Sequence, residues 1–358
     1  MKKILRVSGF NILFFLLGIC ILELCFGDWI FSENLEQLNL LRNVEYVFNT
    51  NKLYKANPGY AVYRRDIYGL RGKKTNSQKI DILTIGGSTT DQRYIGEGET
   101  WQDVLESLFY QNGENIDVVN AGLDGQSSFG HIKNFDLWFQ KIPHFHPDFI
   151  LFYIGINDTF CTSVTYYDDL SGTTTLKGMI NSKSALYNLF KKIRGMYLAN
   201  AQYHVNHRNI NFQKIAWTTI PLQHDHIQLI SKQLQMYESN LKNLSKHIKK
   251  LGSTPIFITQ TSAMFRKEGT TLLGSTETFE YDNKQLNGVD YYEILSAFNQ
   301  KTMVVCKDVQ GICINLADEL LFDTSDFYDY YHNTPVGAHK IGEYLFNKLE
   351  NFISKNNV

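Results

Sequence analysis

Ile80-Asp81-Ile82-Leu83-Thr84-Ile85-Gly86-Gly87-Ser88-Thr89-Thr90 is the stretch on which the fold turns. Residues 80–85 form a short, nearly continuous apolar run that ends in two glycines, which reads as a buried strand followed by a tight turn. The same rhythm recurs on the C-terminal side. Trp101, Val104, Leu105 and Leu108 keep helical spacing over residues 101–110. A second strand follows at 116–120 and a second helix at 127–139. The third strand, 149–155, is so apolar that both of its faces must be covered. Then come a long amphipathic helix at 227–251, a fourth strand at 255–261, a helix at 291–305, a fifth strand at 311–316 and a closing helix at 336–353. Alternating units of this kind imply a parallel sheet with right-handed crossovers. The expected class is therefore α/β, a three-layer α/β/α sandwich around a five-stranded parallel sheet.

Two segments interrupt the rhythm, at about 159–226 and 262–290. Both leave the carboxyl ends of strands, where such sheets place their chemistry, so both are positioned to wall a substrate site. The expected organisation is an N-terminal anchor over 1–31, a connecting segment over 32–79 with a helix near 33–48, and the α/β domain over 80–358. Within the first insertion, Leu186, Leu189, Phe190, Ile193 and Tyr197 keep helical spacing among Lys183, Lys191, Lys192 and Arg194. This reads as a lid helix packed on the sandwich, in preference to a helix resting on a membrane surface.

The remaining composition excludes more than it assigns. A formal net charge of −1 gives no electrostatic footprint for nucleic acid. The 24 Phe and 21 Tyr rise together with Lys, Asn and Ile, a pattern of codon bias more than of aromatic recognition surfaces. Five cysteines are too few and too scattered for a disulfide framework, and no Cys/His spacing suggests zinc. Cys306 and Cys313 are close enough to pair in an oxidising compartment, or to remain buried thiols. His204 and His207, and His224 and His226, lack a third ligand pattern and read as surface histidines, so no metal or cofactor is expected. Lys2, Lys3 and Arg6 precede an apolar run over 10–26, broken by Asn11, Gly18 and Glu23. With Trp29, Ile30 and Phe31 it approaches the ~20 residues of a membrane helix. We read it as an uncleaved, single-pass anchor, since Cys25-Phe26-Gly27 is a poor cleavage site. The basic residues then stay inside and the domain lies outside, in the periplasm or at the cell surface.

Four polar, glycine-marked pieces carry the chemistry. Gly86-Gly87-Ser88 sets a serine on a turn at a strand's carboxyl end, with its own N–H facing the same crevice. Asn120-Ala121-Gly122-Leu123-Asp124-Gly125 ends the second strand, where a glycine lets a backbone N–H approach a substrate oxygen. Gly155-Ile156-Asn157-Asp158 ends the third, where an asparagine amide can donate to a developing oxyanion. Asp158 reads as a brace for that loop. Last, Asp329-Tyr330-Tyr331-His332 precedes the closing helix. Its spacing lets a carboxylate reach a histidine ring and fix the tautomer, leaving the other ring nitrogen to accept a proton from a serine. Each piece alone is ordinary loop chemistry. Together they supply a nucleophile, an oriented base and oxyanion donors, the kit for acyl transfer.

The set resembles the sequence blocks of the SGNH/GDSL hydrolases over residues 80–160 and 310–345. The resemblance implies a flavodoxin-like sheet and assigns Ser88 as nucleophile and Asp329 and His332 as the rest of the triad. The oxyanion donors it implies are Ser88, Gly125 and Asn157. Tyr68-Gly69-Leu70-Arg71-Gly72 also resembles a segment of larger, envelope-associated members. One departure stands out: the usual Gly-Asp-Ser is here Gly86-Gly87-Ser88. The absence of Gly-x-Ser-x-Gly argues against an α/β-hydrolase elbow. The resulting expectation is a serine esterase that removes O-acetyl or other short acyl groups from an extracytoplasmic glycan. Its partners are an acylated carbohydrate or small ester and, through the N-terminal helix, the membrane. An acyltransferase using the same triad is the alternative, and a non-catalytic glycan-binding protein the third reading.

Overall fold

The computed structural model describes residues 2–27, 29, 35, 38–55, 59–72, 80–170, 180, 183–187, 189, 190, 193, 205 and 207–353. The chain divides into two units, one of Met1–Leu40 with Leu170–Tyr203 and one of Leu41–Asp169 with His204–Val358.

In the larger unit a hairpin of β1 (Val44–Asn49) and β2 (Tyr60–Arg65) precedes β3 (Ile82–Gly86), β4 (Val118–Asn120) and β5 (Phe149–Tyr153). With β7 (Thr254–Ile258) and β12 (Ile312–Ile314), the last three form the expected five-stranded parallel sheet, in the order β12-β7-β5-β3-β4. Every residue of β3 and β5 is buried, as the continuous apolar runs require of strands covered on both faces. On one face Ile82, Leu151, Tyr153, Ile256 and Ile314 pack against α3 (Trp101–Gln111) and the closing helix α9 (Pro335–Ile353). Alternation turns Leu83, Ile150, Phe152 and Phe257 to the other face. There Tyr237 of α6 (Ser231–Leu251) meets Phe298 of α7 (Gly288–Asp308) at 5.1 Å and donates its hydroxyl to Ile154 O. The strand order reverses between β3 and β5, which opens a crevice at their carboxyl ends. Helix α2 (Ser88–Asp91) begins at that crevice.

Several elements differ from expectation for local reasons. The helix expected over 33–48 gives way to β1, where Val-Glu-Tyr-Val-Phe places β-branched and aromatic residues in alternation. The helix expected over 127–139 is only α4 (Ser128–Lys133), followed by a π turn at Asn134–Trp138 and a 3-10 turn at Phe139–Lys141. The insertion at 262–290 is antiparallel: β8 (Phe265–Glu268) and β9 (Thr271–Ser275) form a sheet with β6 (Trp217–Thr218), and β10 (Phe279–Tyr281) pairs with β11 (Lys284–Leu286). Short helices α5 (His226–Leu229) and α8 (Leu316–Glu319) complete the larger unit's described α-helices. Cys306 and Cys313 form a disulfide, which closes the open choice between a bridge and free thiols.

In the smaller unit α1 covers Lys2–Phe26. Among the described residues no helix is long and apolar enough to cross a membrane. The spanning helix expected within 1–31 is therefore not found. The apolar run over 10–26 extends ~25 Å at about 1.5 Å per residue, short of the ~30 Å hydrocarbon core. Glu23 accepts hydrogen bonds from Trp29 Nε1, Ser184 Oγ and the backbone N–H groups of Ala185 and Leu186. It thus caps the start of the amphipathic segment, whose Leu186, Leu189, Phe190 and Ile193 are exposed. The described residues of the expected lid helix fall in the unit of α1, and Tyr197, Lys191, Lys192 and Arg194 lie outside the described residues.

The large unit buries an ion pair, Arg65 Nη2 to Asp91 Oδ1 at 2.8 Å, with both side chains essentially inaccessible. Arg65→Met is expected to lower stability by about 3–5 kcal/mol, because it strands a buried carboxylate. Urea unfolding would register this as a lower midpoint.

Candidate active site

Ser88 opens α2, so its N–H is among the first-turn groups that have no acceptor within the helix. The glycines before it are demanded by their surroundings. A Cβ at Gly86 would lie 2.1 Å from Thr90 Oγ1 and 2.5 Å from Tyr153 O, and one at Gly87 would lie 2.4 Å from Asn157 Nδ2. The departure from Gly-Asp-Ser thus has a physical reason: the Asn157 amide occupies the space a side chain at position 87 would need.

Asn157 starts the 3-10 turn Asn157–Phe160 directly beyond β5 and donates to Gln126 O at 2.6 Å. Gly125, the residue before Gln126, has φ +77°, and a Cβ there would strike the Tyr167 ring at 2.6 Å. Gly87, Ser88, Gln126, Asn157 and Gln260 line one recess. Gln260 ties its walls together. Its Oε1 accepts from Ile156 N at 2.7 Å, and its Nε2 donates to Thr89 Oγ1 at 3.0 Å and to Tyr153 O at 3.2 Å.

Asp329 and His332 sit in a tight turn closed by the bridge between Phe327 and Asn333 and by Tyr328 N donating to His332 O at 3.0 Å. His332 Nε2 lies 2.7 Å from Ser88 Oγ, and its Nδ1 lies 2.9 and 2.8 Å from the two Asp329 oxygens. Burial works to raise the Asp329 pKa. The hydrogen bond and charge of His332, with the N–H groups of Tyr331 and His332, outweigh it and hold the carboxyl below its usual value. The Tyr328 ring lies parallel to the His332 ring, 5.6 Å away. The structure therefore joins Ser88, His332 and Asp329 in one hydrogen-bonded chain, with Asn157 beside the nucleophile and Gly125 in the loop that Asn157 grips.

Four supporting residues have no role assigned to them in the sequence. Arg65 donates to Asp91 Oδ1 and to Gly122 O, while Arg71, flagged without a role, donates to Asp91 O and, at 2.6 Å, to Ile95 O. Gln260 resembles any polar residue beyond a strand. His207, expected on the surface, is half-buried with its ring centroid 4.3 Å from that of His332 and Nδ1 3.7 Å from Asp329 Oδ2. Burial, then the proximity of His332, pulls its pKa down. Its sequence partner His204 lies outside the described residues. His226 pairs with the buried Asp290 at 2.8 Å, a helix-capping carboxylate, and His224 is exposed. Among the described residues one group has the spacing of metal ligands, His207 with Asp329 and His332.

A hydrogen-bonded Ser-His-Asp chain at the switch point of a parallel sheet defines a class, the serine hydrolases. The sequence model of the GDSL-like Lipase/Acylhydrolase family matches residues 82–345. The chain belongs to that family and is an SGNH-type serine ester hydrolase. No curated protein matches the sequence. Among solved structures, the psychrotrophic esterase EstA from Pseudoalteromonas sp. is 11% identical with a TM-score of 0.42, covering 76% of this chain and 98% of its own. A catalytic mutant of Axe2, an acetylxylan esterase from Geobacillus stearothermophilus, is 12% identical with a TM-score of 0.43, covering 77% and 96%. LAE5, an alpha/beta hydrolase enzyme from the metagenome of Lake Arreo, Spain, is 12% identical with a TM-score of 0.41, covering 76% and 97%.

Asp158 is buried and accepts from the N–H and hydroxyl of Ser128, so it braces the start of α4 as expected. Burial lifts its pKa to about 7, against the pull of those hydrogen bonds. An acid raised in the folded state favours folding while protonated. The stabilisation is full at low pH and is lost as pH rises from the unfolded value, ~3.9, through about 7. Asp158→Asn should flatten that part of the stability profile, giving similar urea midpoints at pH 5 and pH 8 where the wild type declines.

Proposed function

We propose that this esterase removes short acyl groups, O-acetyl foremost, from an extracytoplasmic glycan through an acyl-enzyme on Ser88. The observation that carries the chemistry is the chain Ser88–His332–Asp329 with Asn157 at its side. His332 Nε2 takes the hydroxyl proton as Ser88 Oγ attacks the ester carbonyl. Asp329 holds the proton on Nδ1 and stabilises the imidazolium that forms. The N–H groups of Ser88 and Gly125 and the Asn157 amide receive the oxyanion. His332 then protonates the leaving alkoxide, and water resolves the acyl-enzyme.

The substrate reading rests on the surroundings. The recess beside Ser88 is bounded by the polar residues Gln126, Asn157 and Gln260, which suits a short acyl group better than a long chain. Tyr166 and Tyr167 are exposed next to Gly125 and offer flat amphipathic faces to a sugar ring. The Cys306–Cys313 disulfide fits an oxidising compartment. The exposed apolar side chains of α1, Phe10 and Leu13 to Leu17 among them, favour attachment to a membrane, with Glu23 satisfied by its own hydrogen bonds.

Ser88→Ala is expected to abolish hydrolysis of p-nitrophenyl acetate and labelling by a fluorophosphonate probe. Asn157→Ala should lower kcat by about 10²–10³. Turnover or labelling that survives Ser88→Ala would refute the mechanism. Equal kcat/KM for acetyl and octanoyl esters, or no acetate released from an acetylated polysaccharide, would refute the substrate assignment.

A further inference from the structure

We propose that His207, Asp329 and His332 form a zinc site that switches the triad off. The inference rests on the reading of Ser88, His332 and Asp329 as the catalytic triad and adds a ligand to it. One nitrogen from each ring and one carboxylate oxygen lie within 4.8 Å of one another. His207 Nδ1 is 3.7 Å from Asp329 Oδ2, which is 2.8 Å from His332 Nδ1. Tetrahedral zinc with bonds of about 2.0–2.1 Å spaces its ligands by ~3.4 Å, and these two separations bracket that value. The His207 and His332 rings lie over one another with planes 36° apart, so each turns about its χ angles to aim a nitrogen lone pair at a common ion.

The ring of His207 is held in place from two sides. Its Nδ1 is 3.0 Å from the Tyr328 hydroxyl, and its ring meets the edge of Tyr94 at a centroid distance of 4.9 Å. Two imidazoles and one carboxylate with a fourth position for water are a zinc donor set. Magnesium and calcium, which prefer all-oxygen shells, do not suit it.

Binding disables the nucleophile through the histidine tautomer. In the resting triad His332 carries its proton on Nδ1, toward Asp329, and presents the Nε2 lone pair to Ser88. Zinc on Nδ1 takes the lone pair there, so the ring's single proton resides on Nε2. Nε2 then faces Ser88 Oγ as a donor and cannot accept the serine proton. The proton is relocated rather than released, the hydrogen bonds of His332 Nδ1 to Asp329 and of His207 Nδ1 to Tyr328 give way to the metal, and the carboxylate that oriented the base becomes a metal ligand. Removing the ion restores the original tautomer.

The test uses the full chain with p-nitrophenyl acetate and zinc chloride, alongside His207→Gln and His207→Phe, the latter keeping a ring in the space. Zinc should suppress turnover of the wild type, chelation by EDTA should restore it, and magnesium and calcium chloride should have no effect. Relative to each variant's own metal-free rate, the half-inhibiting zinc concentration should rise by about 10–100-fold or more. Variants as sensitive as the wild type, or a wild type indifferent to millimolar zinc, would overturn the site. Calorimetric zinc titration of Ser88→Ala, with and without His207→Gln, separates the two readings. Loss of zinc binding in the double variant supports the site even where the catalytic assignment fails, and equal binding refutes it.

Discussion

A four-residue helix cannot hold itself, because so short a segment does not repay the cost of nucleating a helix. Helix α2 must therefore be fixed from outside, and the buried charge of Asp91 at its end is where that happens. Its carboxylate is inaccessible to water, so it requires a cation and hydrogen bonds. Arg65 supplies the cation from the hairpin that precedes the sheet, and Tyr63 Oη adds a hydrogen bond at 3.0 Å. The same guanidinium reaches Gly122 O, and Asn120 Nδ2 donates to Thr90 O at 2.8 Å. The loops beyond β3 and β4, which carry Ser88 and Gly125, are thereby coupled to one charge pair and cannot shift independently.

A second set of contacts couples the loops beyond β3 and β5. Gln260 bridges Thr89 to Ile156, one residue away from Ser88 and Asn157 respectively. Asn157 in turn fastens Gln126, and Gln126 is engaged by Asn134, which donates to its side-chain oxygen at 2.9 Å. Donors held in this way need little reorganisation as charge develops on a substrate oxygen, which is the condition under which they lower a barrier most. Gly87 belongs to this design. The arrangement brings the Asn157 amide against the backbone before the nucleophile, and only a residue without Cβ leaves room for it.

The five strands and the pairing of Asp329 with His332 were legible in the sequence because each leaves a local trace. Ile82-Leu83-Thr84-Ile85 and Phe149-Ile150-Leu151-Phe152-Tyr153 are apolar without alternation, and Asp329 reaches His332 across three residues. What was not legible is long-range. Arg65 finds Asp91 from 26 positions away and Gln260 finds Thr89 from 171, with nothing in the neighbouring residues to announce it. His207 meets Tyr328 across 121 positions and read as a surface histidine for the same reason. The misread helices failed differently. Val44–Asn49 has strand alternation that was merged with the polar residues before it. The segment from Ser128 to Lys141 keeps an apolar helical pattern while its backbone changes from α to π to 3-10 geometry.

The proposed nucleophile and its proposed base are thus built by opposite kinds of contact. Ser88 is positioned by buried, distant polar groups, whereas Asp329 and His332 are positioned by a turn that closes on itself. Their one direct joint is the 2.7 Å hydrogen bond between Ser88 Oγ and His332 Nε2. Two halves joined so narrowly need a rigid common support, and the core provides it. Trp101 donates from Nε1 to Thr89 O at 3.2 Å and from its backbone to Gln92 Oε1 at 2.9 Å, which locks α3 to the turn carrying Ser88. Trp101 and Leu105 of α3 share one apolar cluster with Ala338, Ile341 and Leu345 of α9. Helix α9 follows directly from the turn of His332, with Thr334 N bonded to Asp326 O at 2.8 Å and Lys340 paired with Asp326 at 2.7 Å. The path from serine to histidine therefore runs through packed side chains that tolerate little displacement. A core substitution at this helix contact would act on the distance between Ser88 and His332 without touching either residue.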